Sequence, residues 1–408
     1  MNLVVIGAQW GDEGKGKIVD YLAEKGDIVV RFSGGANAGH TIKTGDKVFK
    51  LHLVPSGIIY PDSIAILGTG MVIDPIALFK ELDSIESQGV SWKGRLLISD
   101  RAHIVFPEYR DEDSAMDAKR IRPIGTTGRG IGVAFAQKAA RDGIRVIDMY
   151  DPEVLNNLHP SKRAFVEEYS AKMKSMVANA AWYLHENKTK NILFEGAQGA
   201  LLDLDNGTYP FVSSGFSCSA GASQGGGVGP RHLDNVMGVF KAYSTRVGNG
   251  PFPSEFKKDR DGDLDNIIRE IGHEYGVTTG RPRRCGYLDL VALKYSCWVN
   301  SLDSLVLTHL DVYDTFDEIK VCVGYEIQGK TTEIFPASIS ELNAAKPVLK
   351  SFKGWKSPLS GCKSFDSMPK EARDYVDFIE KYAETKVSII SVGADRKETF
   401  YRMDPWKK

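Results

Sequence analysis

Leu3-Val4-Val5-Ile6-Gly7-Ala8-Gln9-Trp10-Gly11-Asp12-Glu13-Gly14-Lys15-Gly16-Lys17 passes from an apolar run into a glycine-rich turn, and Ile18-Val19-Asp20-Tyr21-Leu22 continues as an amphipathic segment. A buried strand, a glycine turn and a helix start in that order make a phosphate cradle, because closely spaced backbone N–H groups and a helix N-terminus both favour an anion. The spacing from Gly11 to Gly16-Lys17 fits the G-x-x-x-x-G-K half of a P-loop. A P-loop continues with a Ser or Thr hydroxyl for magnesium, whereas this chain continues with Ile18. Asp12, inside the turn, is the candidate to hold the metal instead, and its carboxylate can also take a proton. The plainer alternative for Asp12 is a helix cap.

The 408 residues are 42% hydrophobic and 26% charged, an ordinary globular composition. With 52 basic against 53 acidic residues there is no global field to draw the chain to nucleic acid or an anionic membrane. Five scattered cysteines without a C-x-x-C pair suggest neither a disulfide framework nor a zinc site. No signal peptide is visible and no apolar run approaches the ~18–20 residues needed to span a bilayer, so a cytoplasmic protein is expected.

Strand-length apolar runs recur with helical stretches between them. Ile28–Phe32, Ala65–Leu67, Arg95–Ser99, Asn191–Phe194, Leu305–Thr308 and Val387–Ile390 read as strands, and Pro75–Ile85 as a helix. Phe165, Tyr169, Met173, Met176, Ala180 and Leu184 are at helical spacing across 165–185. Lys320–Ile334 reads as a β-hairpin turning at Gln328-Gly329. Alternation of strands and helices predicts an α/β fold with a largely parallel sheet covered on both faces, in one large domain over residues 1–408. Five strands end in polar, glycine-containing loops: Gly7–Lys17, Ser33–Thr41, Phe194–Gly199, Thr308–Asp311 and Ser391–Arg396. Ligands bind at the carboxyl ends of strands in such sheets, so these loops are expected to form a site.

Within Gly34-Gly35-Ala36-Asn37-Ala38-Gly39-His40-Thr41, small residues allow close backbone approach, and Asn37 and His40 carry the chemical content. His40 could stabilise developing charge or donate a proton; a structural histidine is the alternative. Ile124–Gly132, with Thr126, Thr127 and Arg129, offers hydroxyls, backbone donors and a guanidinium for a second phosphate, or is a flexible surface loop. Arg281, Arg283 and Arg284 fall within four positions around Pro282, an arrangement suited to carboxylates or phosphates. Thr308-His309-Leu310-Asp311 resembles a guanine-reading T/N-K-x-D element with His in place of Lys.

WGDEGKGK, GGANAGHT, IGTTGRGIG, FEGAQGALLDLDNGTYPFV, KAYSTRVGNGPFP and TTGRPRRCGYLDLV follow one another through most of the chain. Together they resemble the adenylosuccinate synthetase family. The resemblance implies a P-loop GTPase-like central, mostly parallel sheet flanked by helices, with insertions and a small β-hairpin region. It implies a ligase that forms a C–N bond between IMP and L-aspartate, consuming GTP and giving adenylosuccinate, GDP and phosphate through 6-phosphoryl-IMP. This is the first committed step of AMP synthesis from IMP. One Mg2+ per subunit and a homodimer are implied as well.

By the same resemblance Asp12 and His40 are catalytic, and Asp12 and the backbone of Gly39 hold the metal. GTP contacts fall on Gly11, Asp12, Glu13, Gly14, Lys15, Gly16, Lys17, Gly39, His40, Thr41 and Arg283, with His309, Leu310, Asp311, Ser391, Val392 and Gly393 on the base side. IMP contacts fall on Asp12, Glu13, Gly14, Lys15, Asn37, Ala38, Gly39, His40, Thr127, Gln198, Ser213 and Arg281, with Arg141 reaching IMP from the neighbouring subunit. Aspartate contacts fall on Val277, Thr278, Thr279, Gly280, Arg281, Pro282 and Arg283. The sequence departs from the family wording at Ser213, where Thr is usual, at Ser214–Ala220, and at His309 in place of Lys. A relative of the same fold that joins aspartate to another purine nucleotide, such as dGMP, is the rival reading, and a GTP switch without ligase chemistry a more distant one.

Asp311 is expected to accept hydrogen bonds from guanine N1–H and its exocyclic amine, while adenine presents an acceptor at N1. Sites built on such pairing reject the wrong ligand by ~10⁴–10⁵. GTP should therefore be strongly preferred over ATP, and Asp311→Asn should weaken GTP and improve XTP, whose exocyclic oxygen suits an amide donor. Values of kcat/KM for the three nucleotides on both proteins check this; equal use of ATP and GTP by the unmodified chain would refute the guanine-reading role.

Overall fold

A computed structural model describes residues 1–44, 47–276 and 280–407. The chain divides into two compact units. The first comprises Met1–Val5, Gly16–Ala197 and Ser213–Asp234, and the second Ile6–Lys15, Gln198–Val212 and Asn235–Lys408.

In the first unit Asn2–Gly7, Ile192–Glu195, Ile28–Arg31, Ile64–Leu67, Leu96–Ser99 and Val177–Ala178 lie side by side in that order, every neighbouring pair parallel. The first three are buried along their whole length. That is why they read as continuous apolar runs, since a parallel strand covered on both faces has no solvent side. Helix Pro75–Ser87 begins where Asp74 accepts a hydrogen bond from the Ala77 N–H at 3.1 Å, with proline in the first turn. Its Leu78, Leu82 and Ile85 join Leu67, Ile73, Ile98 and Phe106 in the unit's core. Each such side chain contributes about 1.5–3 kcal/mol on full burial.

In the second unit Asn235–Lys241, Ser304–Thr308 and Val387–Ser391 run parallel in that order, and Thr399–Tyr401 adds an antiparallel edge. A smaller mixed sheet is centred on Glu318–Ile327, which pairs antiparallel with Lys330–Thr332 and Lys346–Lys353 and parallel with Leu288–Asp289. The expected hairpin is present: Ile327 pairs with Lys330, and Gln328 and Gly329 both have positive φ (52° and 76°). That combination is the two-residue turn whose twist suits a hairpin.

The expected α/β class therefore holds, with the main strands of each unit parallel and the antiparallel pairs at the second unit's edge and in the smaller sheets. One expectation fails. The helical spacing over 165–185 is split between helix Pro160–Met173 and helix Ala180–Glu186, with Val177–Ala178 extended between them. Ile98 donates its N–H to the Met176 carbonyl at 2.8 Å, and Asn179 caps the second helix through the Trp182 N–H. A strand partner took the intervening residues although apolar spacing alone allowed the helix to continue. Asn235–Lys241, a central strand of the second unit, also lay outside the expectation.

Candidate functional site

In the second unit the turn after the first strand is built around Glu13. Gly11, Asp12 and Gly14 all have positive φ (84°, 58° and 85°), so the backbone coils tightly and directs N–H groups inward. The Glu13 carboxylate is fully buried and accepts from the N–H groups of Gln9 (3.1 Å) and Gly11 (2.8 Å). Lys15 Nζ pairs with its other oxygen at 2.5 Å. Glycine is required around it. A Cβ on Gly7 would stand 2.4 Å from the Glu13 carboxylate, and one on Gly199 would stand 2.3 Å from the Gln9 carbonyl. Thr308, at the end of its strand, donates its hydroxyl to the Glu13 carbonyl at 2.6 Å. Three of the expected loops thus meet here: the glycine turn, Gln198-Gly199, and the segment opening at Thr308.

Asp12 projects from this turn with its side chain 38% exposed, and Arg283 Nε reaches it at 2.9 Å. Arg283 Nη1 also binds Glu274 Oε2 at 2.7 Å. Glu274 Oε1 takes Lys241 Nζ and the Tyr243 hydroxyl, each at 2.5 Å. Burial opposes ionisation of Glu274, yet Lys241, His309 and Arg283 outweigh it and bring the carboxyl down to about 2. Burial and Glu274 push the Tyr243 phenol well up, so its single hydrogen goes to the carboxylate. Toward His309 Nδ1, 3.4 Å away, that oxygen can only accept. His309 itself has φ 56°, as does Gln198 at 57°. Left-handed non-glycine residues cost about 1–3 kcal/mol each and cluster where function holds them.

The arginine segment divides its work. Arg283 faces Asp12 and Glu274, while Arg284 clasps Glu255 with two bonds of 2.7 and 2.8 Å and is an anchor. Gly280, Arg281 and Pro282 are exposed. Val277, Thr278 and Thr279 lie outside the described residues. Leu310 is buried and Asp311 half-buried in the short turn after His309. Ser391, Val392 and Gly393 follow the neighbouring strand, with the Val392 N–H bound to the Glu398 carbonyl at 2.8 Å.

In the first unit His40 is held by a carboxylate that sequence reasoning left unassigned. Its Nδ1 lies 2.5 Å from Glu195 Oε1, and Ser56 donates both its N–H (2.8 Å) and hydroxyl (3.2 Å) to the same group. Burial raises the Glu195 carboxyl, but His40, Arg31 and Ser56 together hold it below the ordinary range. With Nδ1 committed, Nε2 is the nitrogen left for chemistry, the arrangement by which a carboxylate orients an imidazole. A Cβ on Gly16 would stand 3.2 Å from His40 Cβ, so the last glycine of the phosphate turn admits the histidine. Asn37 accepts from the Gly35 N–H at 3.2 Å, and the His52 ring holds the Ala38 carbonyl at 2.7 Å. Gly39 and Thr41 are half-buried, as is Lys17.

In the loop 124–132, expected to offer donors to a phosphate, Asp117 accepts the N–H groups of Ile124, Gly125 and Thr126, and Asp113 that of Gly130. Thr127 is left exposed at the tip. Arg141 is exposed too, closing helix Ile131–Ala140 with φ 72°. Ser213 Oγ and Gln198 Oε1 are buried atoms without a hydrogen-bond partner among the described residues, which suits groups awaiting a ligand. Glu195, Glu274, Lys241, Tyr243, Asp113 and Asp117 were all missed as site supports. Glu195 in FEGAQG and Lys241 and Tyr243 in KAYSTRVGNGPFP stood in segments already singled out; Glu274, Asp113 and Asp117 did not.

Asp12 offers an exposed carboxylate, a hard oxygen, and among the described residues no group of three His, Cys, Asp or Glu side chains could hold a metal. That fits Mg2+, which takes one or two carboxylates and completes its shell with water and nucleotide phosphates.

In the second unit a glycine turn carries an acid paired with an arginine, and in the first a carboxylate orients a histidine, features suited to an α/β enzyme that handles phosphate. The family description "Adenylosuccinate synthetase" matches residues 4–164 and 160–400. The chain is 47% identical over 421 residues to the adenylosuccinate synthetase of Clostridium novyi (strain NT), covering 97% of this chain and 98% of that one. It is 46% identical to that of Prochlorococcus marinus (strain MIT 9211), covering 99% and 97%. The fully ligated adenylosuccinate synthetase from Plasmodium falciparum superposes with a TM-score of 0.91 at 39% identity, over 98% of this chain and 99% of that one. A cyanophage S-2L succinoaminodeoxyadenylate synthetase bound to dGMP and dATP reaches a TM-score of 0.65 at 20% identity, a likeness of fold alone. The chain belongs to the adenylosuccinate synthetase family, GTP- and Mg2+-dependent ligases that join IMP and L-aspartate.

Because its folded carboxyl is held at about 2, Glu274 contributes stability that is fully present above its unfolded value near 4.5 and is lost as pH falls through 2. The contribution is on the order of 3 kcal/mol. Urea unfolding between pH 6 and 2 should show this acid-side loss, and Glu274→Gln should be less stable at pH 6 with a flatter profile below 4.5. An unchanged profile would contradict the ionised network.

Proposed function

We propose the following residue roles for the GTP-dependent ligation of IMP and L-aspartate. Asp12 takes the N1 proton of IMP, and O6 attacks the γ-phosphorus of GTP to give 6-phosphoryl-IMP and GDP. His40, its ring fixed through Glu195, stabilises charge on the transferring group. The aspartate amine then adds at C6 and phosphate leaves, which is sound chemistry because a purine oxygen departs poorly until phosphorylated. Mg2+, when bound through Asp12 and Gly39, supplies charge neutralisation for the phosphates. Arg281 and Arg283 receive the aspartate and nucleotide side, and His309 to Asp311 with Ser391 to Gly393 receive the guanine. Asn37, Thr127, Gln198 and Ser213 receive IMP, the last two with buried oxygens still unpartnered.

The observation that carries this reading is Asp12: a carboxylate with positive φ on a phosphate turn, half-exposed and paired with an arginine. The dGMP alternative is weaker, because the likeness to the cyanophage protein is one of fold alone. Among the described residues no helix is long and apolar enough to cross a membrane, and we place the chain in the cytoplasm. We also propose that it works as one catalytic domain, as a homodimer in which Arg141 serves the neighbour's IMP site. Its exposed place at a helix end supports that role.

Asp12→Asn and Arg141→Leu should each fold and lose activity, the former by ~10²–10⁴ or more, since loss of a general base alone costs that much. The assay is GTP, IMP and aspartate with purine absorbance followed. Mixed and allowed to exchange subunits, the two variants should regain activity, because some heterodimers carry one site with both wild-type groups. A near-normal Asp12→Asn enzyme would overturn its role. No recovery despite exchange of labelled chains would overturn that of Arg141.

A further inference from the structure

Glu274 and Arg283 bracket the segment that includes the proposed aspartate contacts. They meet twice: the Arg283 N–H donates to the Glu274 carbonyl at 2.9 Å, and Arg283 Nη1 donates to Glu274 Oε2 at 2.7 Å. Inside this tie Tyr275 and Pro282 form a bridge, the Gly276 N–H reaches the Arg281 carbonyl at 2.8 Å, and the Gly280 N–H reaches the Gly276 carbonyl at 2.7 Å. Glu274 is wholly buried and its other oxygen is anchored by Lys241 and Tyr243, whose strand and following turn belong to the rigid core of the unit.

We propose that Glu274 is a positioning residue for Arg283, holding one edge of its guanidinium so that the Nε edge can exchange Asp12 for the bound substrates. A guanidinium has five N–H donors in a fixed plane, so fixing Nη1 sets the direction of the rest. Nε stands 2.9 Å from an Asp12 oxygen as an ion pair but without the alignment of a hydrogen bond, so it is the less firmly held edge. When Asp12 turns to its work as base and metal ligand, Arg283 must release it, and an arginine with four side-chain torsions would otherwise lose its place. The grip of Glu274 persists through that exchange because it uses a different nitrogen. Lys241 serves as the counter-charge: it keeps Glu274 ionised without touching Arg283. The proposal rests on the assignment of Arg283 to the nucleotide and aspartate side, so its test carries Arg283→Lys alongside.

Steady-state constants for GTP, aspartate and IMP are to be measured on Glu274→Gln, Lys241→Gln and Arg283→Lys, with melting temperatures. A hydrogen bond to a charged group is worth ~1.5–3 kcal/mol, so Glu274→Gln should raise KM for GTP or aspartate about 10- to 100-fold, with KM for IMP unchanged. Lys241→Gln, which weakens the ionisation of Glu274 but leaves its carboxyl beside Arg283, should lower the melting temperature and raise those constants by less than Glu274→Gln does. If Glu274→Gln does not fold, Glu274→Asp, which keeps the charge and shortens the reach, should show the same rise in KM. The proposal is overturned by a folded Glu274 variant with unchanged KM values, or by Lys241→Gln raising the same constants equally, which would make the network merely structural. If Arg283→Lys raises KM and Glu274→Gln does not, only the positioning role fails. If Arg283→Lys changes neither constant, the assignment of Arg283 fails and the positioning role with it.

Discussion

The buried carboxylate of Glu13 is the constraint on which the phosphate turn depends. A turn in which three of four residues, Gly11, Asp12 and Gly14, have positive φ has no regular hydrogen-bond ladder to hold it. Glu13 substitutes for that ladder by accepting the N–H groups of Gln9 and Gly11 and pairing with Lys15. Its position then dictates glycine at 7 and 199, because a methyl group at either would strike the carboxylate. The glycines of the motif therefore make room for an internal anion as well as for a ligand. Binding can proceed on a turn already shaped, with little ordering left to do at the moment of binding.

The same device recurs. Glu195 is buried beside His40, and Glu274 beside Arg283 and Lys241. In both cases desolvation works against the charge and specific partners overcome it. Removing one partner of such a pair leaves a buried charge uncompensated, at a cost of about 3–5 kcal/mol. The groups expected to touch substrates, His40 and Arg283, are each directed by a carboxylate that does not itself need to touch them.

The main strands and the glycine turn after the first of them were legible in the sequence for physical reasons. Fully covered parallel strands have to be continuously apolar, and a phosphate turn needs its glycines and lysines close together. The hairpin at Gln328-Gly329 was legible because two residues with positive φ leave few choices of side chain. What stayed hidden was long-range pairing. Glu274 meets Lys241 across 33 positions and His40 meets Glu195 across 155, and local spacing carries no trace of either. The break at Val177–Ala178 was hidden for the same reason, since its cause is the strand at Ile98-Ser99. Asp117 and Asp113 gave no local signal either, yet they accept the N–H groups of Thr126 and Gly130 across 9 and 17 positions.

The claim that Glu13 shapes the turn before any ligand arrives is tested most directly by amide hydrogen exchange on the ligand-free protein and its Glu13→Gln variant. The account predicts that the Gln9 and Gly11 amides are protected in the unmodified chain. In Glu13→Gln they should exchange about 10- to 100-fold faster, the range set by losing hydrogen bonds to a charged acceptor, while amides of the central strands stay as slow as before. Equal protection of Gln9 and Gly11 in both proteins would contradict it, because the turn would then hold its shape without the carboxylate.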